Sequence, residues 1–135
     1  MTDIFELLKG KPEDSDYEKK GVIVQGITGS YGSIHAKQMI AYGTNVVAGV
    51  TPNKGGQKFE GTVPIYNTMQ EAVDATNAKI SIIFVPAKFF LSAAKDALNS
   101  GIKLLVAIPE HVPIRDTMEA LDLAKQKGAV IIGPN

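Results

Sequence analysis

Short runs rich in valine and isoleucine alternate with longer amphipathic stretches from Gly21 to the end of the chain. The runs predict strands over 22–26, 45–50, 80–85, 103–108 and 129–132. They show little of the in–out alternation of a half-exposed sheet, as expected for strands covered on both faces. Four stretches with helical spacing lie between them. The first, 31–42, stops at Gly43. The second opens at Thr68 with Glu71 three residues on, a capping box in which each side chain satisfies a free backbone N–H. The third covers 88–99 and turns Ala93, Ala94, Ala97 and Leu98 toward the sheet. The fourth begins at Pro113 and carries Ile114, Met118 and Leu121 at helical spacing; Gly101 and Gly128 stop the last two. Such alternation builds βαβ units. The expected fold is α/β: a doubly wound, Rossmann-type parallel sheet of about five strands with helices on both faces.

Residues 1–20 fall outside this rhythm. Ile4, Leu7 and Leu8 have helical spacing, but the polar stretch that follows holds Pro12, Asp14, Ser15 and Asp16. A short helix and a lead-in loop are expected there, with the domain over 21–135. A chain of 135 residues can bury one such core but not two. Fourteen basic residues balance fourteen acidic ones, which leaves no basic excess for binding nucleic acid or a membrane surface. With no cysteine, disulfides and thiolate metal sites are excluded. No apolar run approaches the roughly 18 residues of a membrane-spanning helix. The N-terminus lacks the basic start and apolar stretch of a secretory signal. A cytoplasmic protein is the expectation.

In an open parallel sheet the ligand crevice lies beyond the carboxyl ends of the strands, where strand order reverses. Four of the five expected strand ends carry unusual residues. The first runs through Gly26, Thr28, Gly29, Ser30, Tyr31 and Gly32. Its glycines let backbone approach a phosphate, whose charge the free N–H groups of the helix then hold, and Thr28 and Ser30 add hydroxyls. A bare strand-to-helix turn would also use glycine, but the place in the first βα turn points to a nucleotide. The second end reads Thr51, Pro52, Asn53, Lys54, then Gly55 and Gly56. An NAD-binding domain puts an acid here, roughly 20 residues past the glycines, to hold the ribose hydroxyls. No acid is present. The cation of Lys54 suits a phosphorylated ribose instead, such as the 3′-phosphate of coenzyme A or the 2′-phosphate of NADP, although a solvated surface lysine looks the same in sequence.

At the third end, Val85 and Pro86 offer a flat apolar ledge for an adenine face, or simply a proline that starts the next helix. At the fourth, Ile108, Pro109, Glu110 and His111 hold the obvious catalytic candidates. Adjacent side chains at a strand end point in different directions, so Glu110 and His111 do not form an acid–base pair by adjacency. Neither His111 nor His35, early in the first helix, has metal-ligand spacing to a second ligand. No metal site and no catalytic residue are assigned.

Taken together, these landmarks resemble the N-terminal half of succinate–CoA ligase (succinyl-CoA synthetase) α subunits. The resemblance runs through Val24, Gln25, Gly26, Thr28, Gly29 and Ser30, then His35, Ala41, Tyr42, Gly43 and Thr44. It continues through the unbroken stretch 49–56, then Pro64 to Thr68, Glu71 to Val73, Val85 to Ala87 and Gly101 to Leu104. It ends on Ile131 to Asn135. The resemblance implies a CoA-binding domain whose nucleotide end is held by the turn Thr28, Gly29, Ser30 and Tyr31, which Gly26 and Gly32 flank as further expected cofactor-binding residues. Pro52 and Lys54 join them there, with Val85 and Pro86 near the adenine and Ile108, Pro109 and Glu110 adding further contacts. In that family the complete enzyme forms succinyl-CoA from succinate and CoA with a nucleoside triphosphate, through a phosphohistidine. A second α-subunit domain carries that histidine, and a β subunit supplies the nucleotide site. This chain stops where the family continues into the second domain, so neither His35 nor His111 inherits the phosphorylated role. Pro109 stands where many members have Thr, and it cannot donate a backbone N–H. Residues 1–20 are longer than the usual lead-in and unmatched.

Three functions follow. The first is the CoA-binding domain of an ADP- or GDP-forming succinate–CoA ligase α subunit, inactive by itself. The second is an NADP-binding domain of an oxidoreductase, for which the chain has no room for a substrate domain. The third is a stand-alone CoA-binding or sensing module.

Overall fold

The computed structural model describes residues 21–134. In order these form β1 (Val22–Gln25), α1 (Ser30–Tyr42), β2 (Val46–Val50), β3 (Lys58–Phe59), β4 (Val63–Tyr66) and α2 (Met69–Thr76). There follow β5 (Ile80–Ile83), a short 3-10 turn (Ala87–Phe89), α3 (Phe90–Asn99), β6 (Leu104–Ala107), α4 (Ile114–Lys127) and β7 (Val130–Ile132). The helix and loop expected over 1–20 lie outside the described residues. The strands make one sheet in the order β3-β4-β2-β1-β5-β6-β7, parallel except for β3, which runs against β4. Strand order reverses at β1, whose neighbours are β2 on one side and β5 on the other. That is the doubly wound arrangement, and it opens a crevice beyond the carboxyl ends of β1 and β5.

Alternate residues of each central strand enter different layers. Val22 and Val24 pack with Ala36 and Met39 of α1, together with Phe59, Val63 and Ile65 from the β3–β4 side. Ile23 joins the opposite layer, where Met69 and Val73 of α2, Phe90, Ala94 and Leu98 of α3, and Ala120 and Ala124 of α4 cover the sheet. Helices thus stand on both faces. Among the described residues no helix is long and apolar enough to cross a membrane.

Among the described residues seven strands replace the about five expected. The two extra ones are a hairpin, β3 and β4, whose turn places Glu60 and Gly61 at φ 52° and 73° with Thr62 N–H donating to the Phe59 carbonyl at 3.1 Å. Two successive positive φ values fit a type I′ connection. Glutamate is an unusual residue for the first of those positions, and Pro64 argues against an interior strand because it removes a ladder donor. Yet β4 sits inside the sheet, parallel to β2 through Gly49–Ile65 and Val50–Tyr66. Three of the strands read from sequence also end one or two residues early, leaving Gly26, Val85 and Ile108 in the loops beyond them.

Helix ends follow their sequence signals. Gly43 and Gly128 cap α1 and α4 in the left-handed conformation. Thr68 Oγ1 accepts the Glu71 N–H at 3.2 Å. The reciprocal half of the expected box differs: the Glu71 carboxylate accepts from the Thr68 hydroxyl at 3.0 Å. The third helix keeps Ala94, Ala97 and Leu98 buried, leaves Ala93 half-buried and adds Phe90 to the core. The fourth starts after Pro113 and holds its expected helical spacing. Ile114, Met118 and Leu121 are 78%, 64% and 45% exposed, while Ala120 and Ala124 face inward. The small alanines let α4 lie close against its neighbours, and the larger stripe points away.

Candidate functional site

Two clefts meet at the crevice. The first, about 620 Å³, lies between the start of α1 and the loops after β5 and β6, with Ser30, Tyr31, Ile108, Pro109 and Glu110 in its wall. The second, about 440 Å³, lies between the loops after β1, β2 and β4 and one face of α3. Gly26, Thr28 and Pro52 belong to it. Gly29, Val85 and Pro86 line both clefts, together with Phe84, so they form the divide over which one extended ligand would cross. Each volume falls in the range of small-molecule sites, about 300–1,000 Å³.

The turn after β1 is built for close approach. Gly26 takes φ 82°, and its N–H donates to the Val50 carbonyl at 2.9 Å, so it continues the sheet ladder while reversing direction. Gly29 is the N-cap of α1 and has no side chain to cap it, and the first turn holds no acid. The leading N–H groups of the helix are therefore left for a ligand, where an anion is favoured by the aligned peptide dipoles. Gly32 does a different task. It is buried beneath the turn, and a Cβ there would stand 2.2 Å from the Gly26 carbonyl oxygen. It sets how closely helix meets turn and lines neither cleft.

The second loop is tied to the first through the hydroxyls of Thr28 and Thr51, 3.1 Å apart. Lys54 projects from this loop and lies outside both linings, although Thr51 and Pro52 just before it line the second cleft. Its backbone is fixed, with Lys54 N–H donating to the Thr51 carbonyl at 3.1 Å.

Several lining residues escaped the sequence reading. Asn67 follows β4, the unrecognised strand, and so was not seen as a strand end. Phe89, Ser92, Ala93 and Asp96 present one helical face to the second cleft. Their i, i+3, i+4, i+7 spacing was legible, but nothing in sequence says which helix face borders the crevice. Gln25 closes the floor: its Nε2 donates to the Ala93 carbonyl at 3.0 Å, and its Oε1 accepts from Ser81 at 2.8 Å. This buried bridge holds α3 against β1.

Among the described residues His35 has aromatic surroundings and His111 does not. His35 stacks on Phe84 with ring centroids 5.3 Å apart and meets Tyr31 at 4.4 Å. His111 sits at φ 61° and is exposed. Left-handed backbone costs a residue bearing a Cβ about 1–2 kcal/mol, which glycine avoids while losing more entropy on folding. His111→Gly is therefore expected to stabilise the chain by about 0.5–1 kcal/mol. Urea unfolding checks it, the midpoint rising at unchanged slope. Among the described residues no group of three His, Asp or Glu side chains could hold a metal ion.

Fold and site together define a Rossmann-type domain with an uncapped, acid-free helix start at the strand-order reversal and no acid in the loop directly after β2. The CoA binding domain family model matches residues 17–111, and the chain belongs to that family. It is 53% identical over 116 residues to a succinate–CoA ligase [ADP-forming] subunit alpha from Aquifex aeolicus, covering 84% of this chain and 38% of that protein. It is 47% identical over 122 residues to a malate–CoA ligase subunit alpha from Methylorubrum extorquens, covering 87% and 41%. The chain thus spans about two fifths of the length of these curated relatives. A solved structure, the dinucleotide-forming acetyl-coenzyme A synthetase 1 of Ca. Korarchaeum cryptofilum, superposes with TM-score 0.74 at 20% identity over 98% of this chain and 28% of that one. At that identity the likeness is one of fold.

Proposed function

We infer that this chain is the CoA-binding part of an acid–thiol ligase α subunit, with succinate the leading acid substrate. The observation that carries the reading is the uncapped, acid-free start of α1 at the strand-order reversal, in a chain of the CoA-binding family. The pyrophosphate of CoA sits against the N–H groups after Gly29. Its nucleotide lies in the second cleft, with the adenine on Val85 and Pro86. The pantetheine arm leaves through the first cleft past Tyr31, Ile108 and Glu110, and Pro109 there offers no N–H. Residues 21–135 form this domain, and 1–20 lead into it. Succinyl-CoA formation needs groups beyond these residues: a phosphorylated histidine on a second α-subunit domain and a nucleotide-binding β subunit. Malate is the competing acid, since both acids occur in the names of similar ligases. The missing acid after β2 weighs against the nicotinamide reading. The compartment proposed is the cytoplasm.

Calorimetry with CoA, dephospho-CoA, NADP and NAD tests the reading. CoA should bind more tightly than dephospho-CoA, and the nicotinamides should not bind. In Lys54→Ala the affinity for CoA should fall roughly tenfold while dephospho-CoA changes little, because one charge-assisted contact to the 3′-phosphate is lost. Equal losses for the two would remove Lys54 from that phosphate. NADP binding without CoA binding would replace the ligase reading by the oxidoreductase one.

A further inference from the structure

Asn67 has a more definite geometry than Lys54. It stands immediately after β4, at the ligand end of the sheet, and lines the second cleft with Thr51 and Pro52. Its Oδ1 accepts the Gly55 N–H at 2.9 Å. Only the carbonyl side of the amide can accept, so this bond fixes which way the group is turned. The Nδ2 donors then have no protein partner among the described residues. Gly55 is the residue next to Lys54, and a Cβ on it would lie 2.7–2.8 Å from the Asn67 amide. One hydrogen bond therefore orients a free donor and anchors the backbone that carries the cation.

We propose that Asn67 is a specificity-determining contact, donating from Nδ2 to the ribose phosphate of CoA alongside Lys54. The proposal rests on the CoA reading of the site. The chemistry is complementary: Lys54 supplies charge from a flexible stem, and the amide supplies a directed donor from a fixed position. An amide donor adds no attraction for a ribose without phosphate beyond that of one neutral hydrogen bond. Asn67 thus contributes to choosing CoA over dephospho-CoA.

The test measures CoA and dephospho-CoA affinity for the unaltered chain, Asn67→Ala, Asn67→Asp, Lys54→Ala and the Asn67→Ala/Lys54→Ala pair. Asn67→Ala should lower the preference for CoA about tenfold. Asn67→Asp should lower it further, since a carboxylate still accepts the Gly55 N–H but turns negative charge toward the phosphate. The pair should lose less than the two single changes together, as residues sharing one partner do. Dephospho-CoA binding reports that each variant is folded. A wild-type preference in Asn67→Asp would reduce Asn67 to a loop anchor and overturn the proposal. So would equal weakening of both ligands in Asn67→Ala, which would move the donor to the adenine or ribose. If the unaltered chain binds no CoA, the CoA reading itself fails and takes this contact with it.

Discussion

Gly29→Val should leave the domain folded and reduce binding of CoA and dephospho-CoA alike by about a hundredfold. Gly29 has φ −67° and ψ 157°, an extended conformation open to any residue, and the nearest atom to an added Cβ is the Gly26 oxygen at 3.4 Å. The protein itself therefore tolerates the side chain. What does not is a phosphate approaching the start of α1, because the branched methyls occupy the side shared by both clefts. Losing the charge-assisted bonds of a pyrophosphate costs about 1.5–3 kcal/mol for each contact. Both ligands carry the pyrophosphate, so the ratio between them should not move. This separates the turn from Lys54 and Asn67. Calorimetry reads the affinities and a thermal melt reads the fold. A folded variant with unaltered affinity would take the turn out of the site.

Gly32→Ala, three residues further on, should act by the opposite route. Its Cβ would stand 2.2 Å from the Gly26 oxygen, 3.1 Å from the Gly26 carbonyl carbon and 3.2 Å from Phe84 Cβ. Two of those atoms are backbone and cannot rotate away, so α1 must shift from the turn. Overpacking of this kind costs about 1–3 kcal/mol, and the backbone contact puts this case at the upper end, about 3 kcal/mol. For a small domain that is a large part of the whole stability. Urea unfolding should show a lower midpoint, and ligand binding should weaken because the turn has moved. An unchanged midpoint would mean that helix and turn are not packed as described. The two glycines stand three residues apart, yet one change should remove a ligand and the other disturb a packing contact.

Sequence reading succeeded where local chemistry and burial agree. The central strands are covered on both faces, so their Val and Ile content is continuous and unambiguous, and the glycine turn after β1 is legible because its chemistry is local. It failed at β3 and β4, where Glu60 occupies a position better suited to Asn or Gly and Pro64 sits inside a ladder. The hairpin holds because Val63, Ile65 and Phe59 are buried against the layer under α1. Failure at β4 then hid Asn67, since a residue is recognised as a strand end only when its strand is. Spacing by itself does not choose a face: Ile114, Met118 and Leu121 carry the periodicity of α4, but Ala120 and Ala124 fit the space beside the sheet.

The amino-acid order alone determined the alternation of strands and helices, the glycine turn after β1, and the want of an acid after β2. Each is written in residues that neighbour one another in the chain, where backbone conformation and short-range hydrogen bonding act. Tertiary structure decided the strand order, which helix face meets the crevice, and the pairing of Asn67 with the loop that bears Lys54. Those depend on contacts between residues far apart in sequence. Such contacts are chosen by how volumes fill a shared core, and no local pattern encodes that choice.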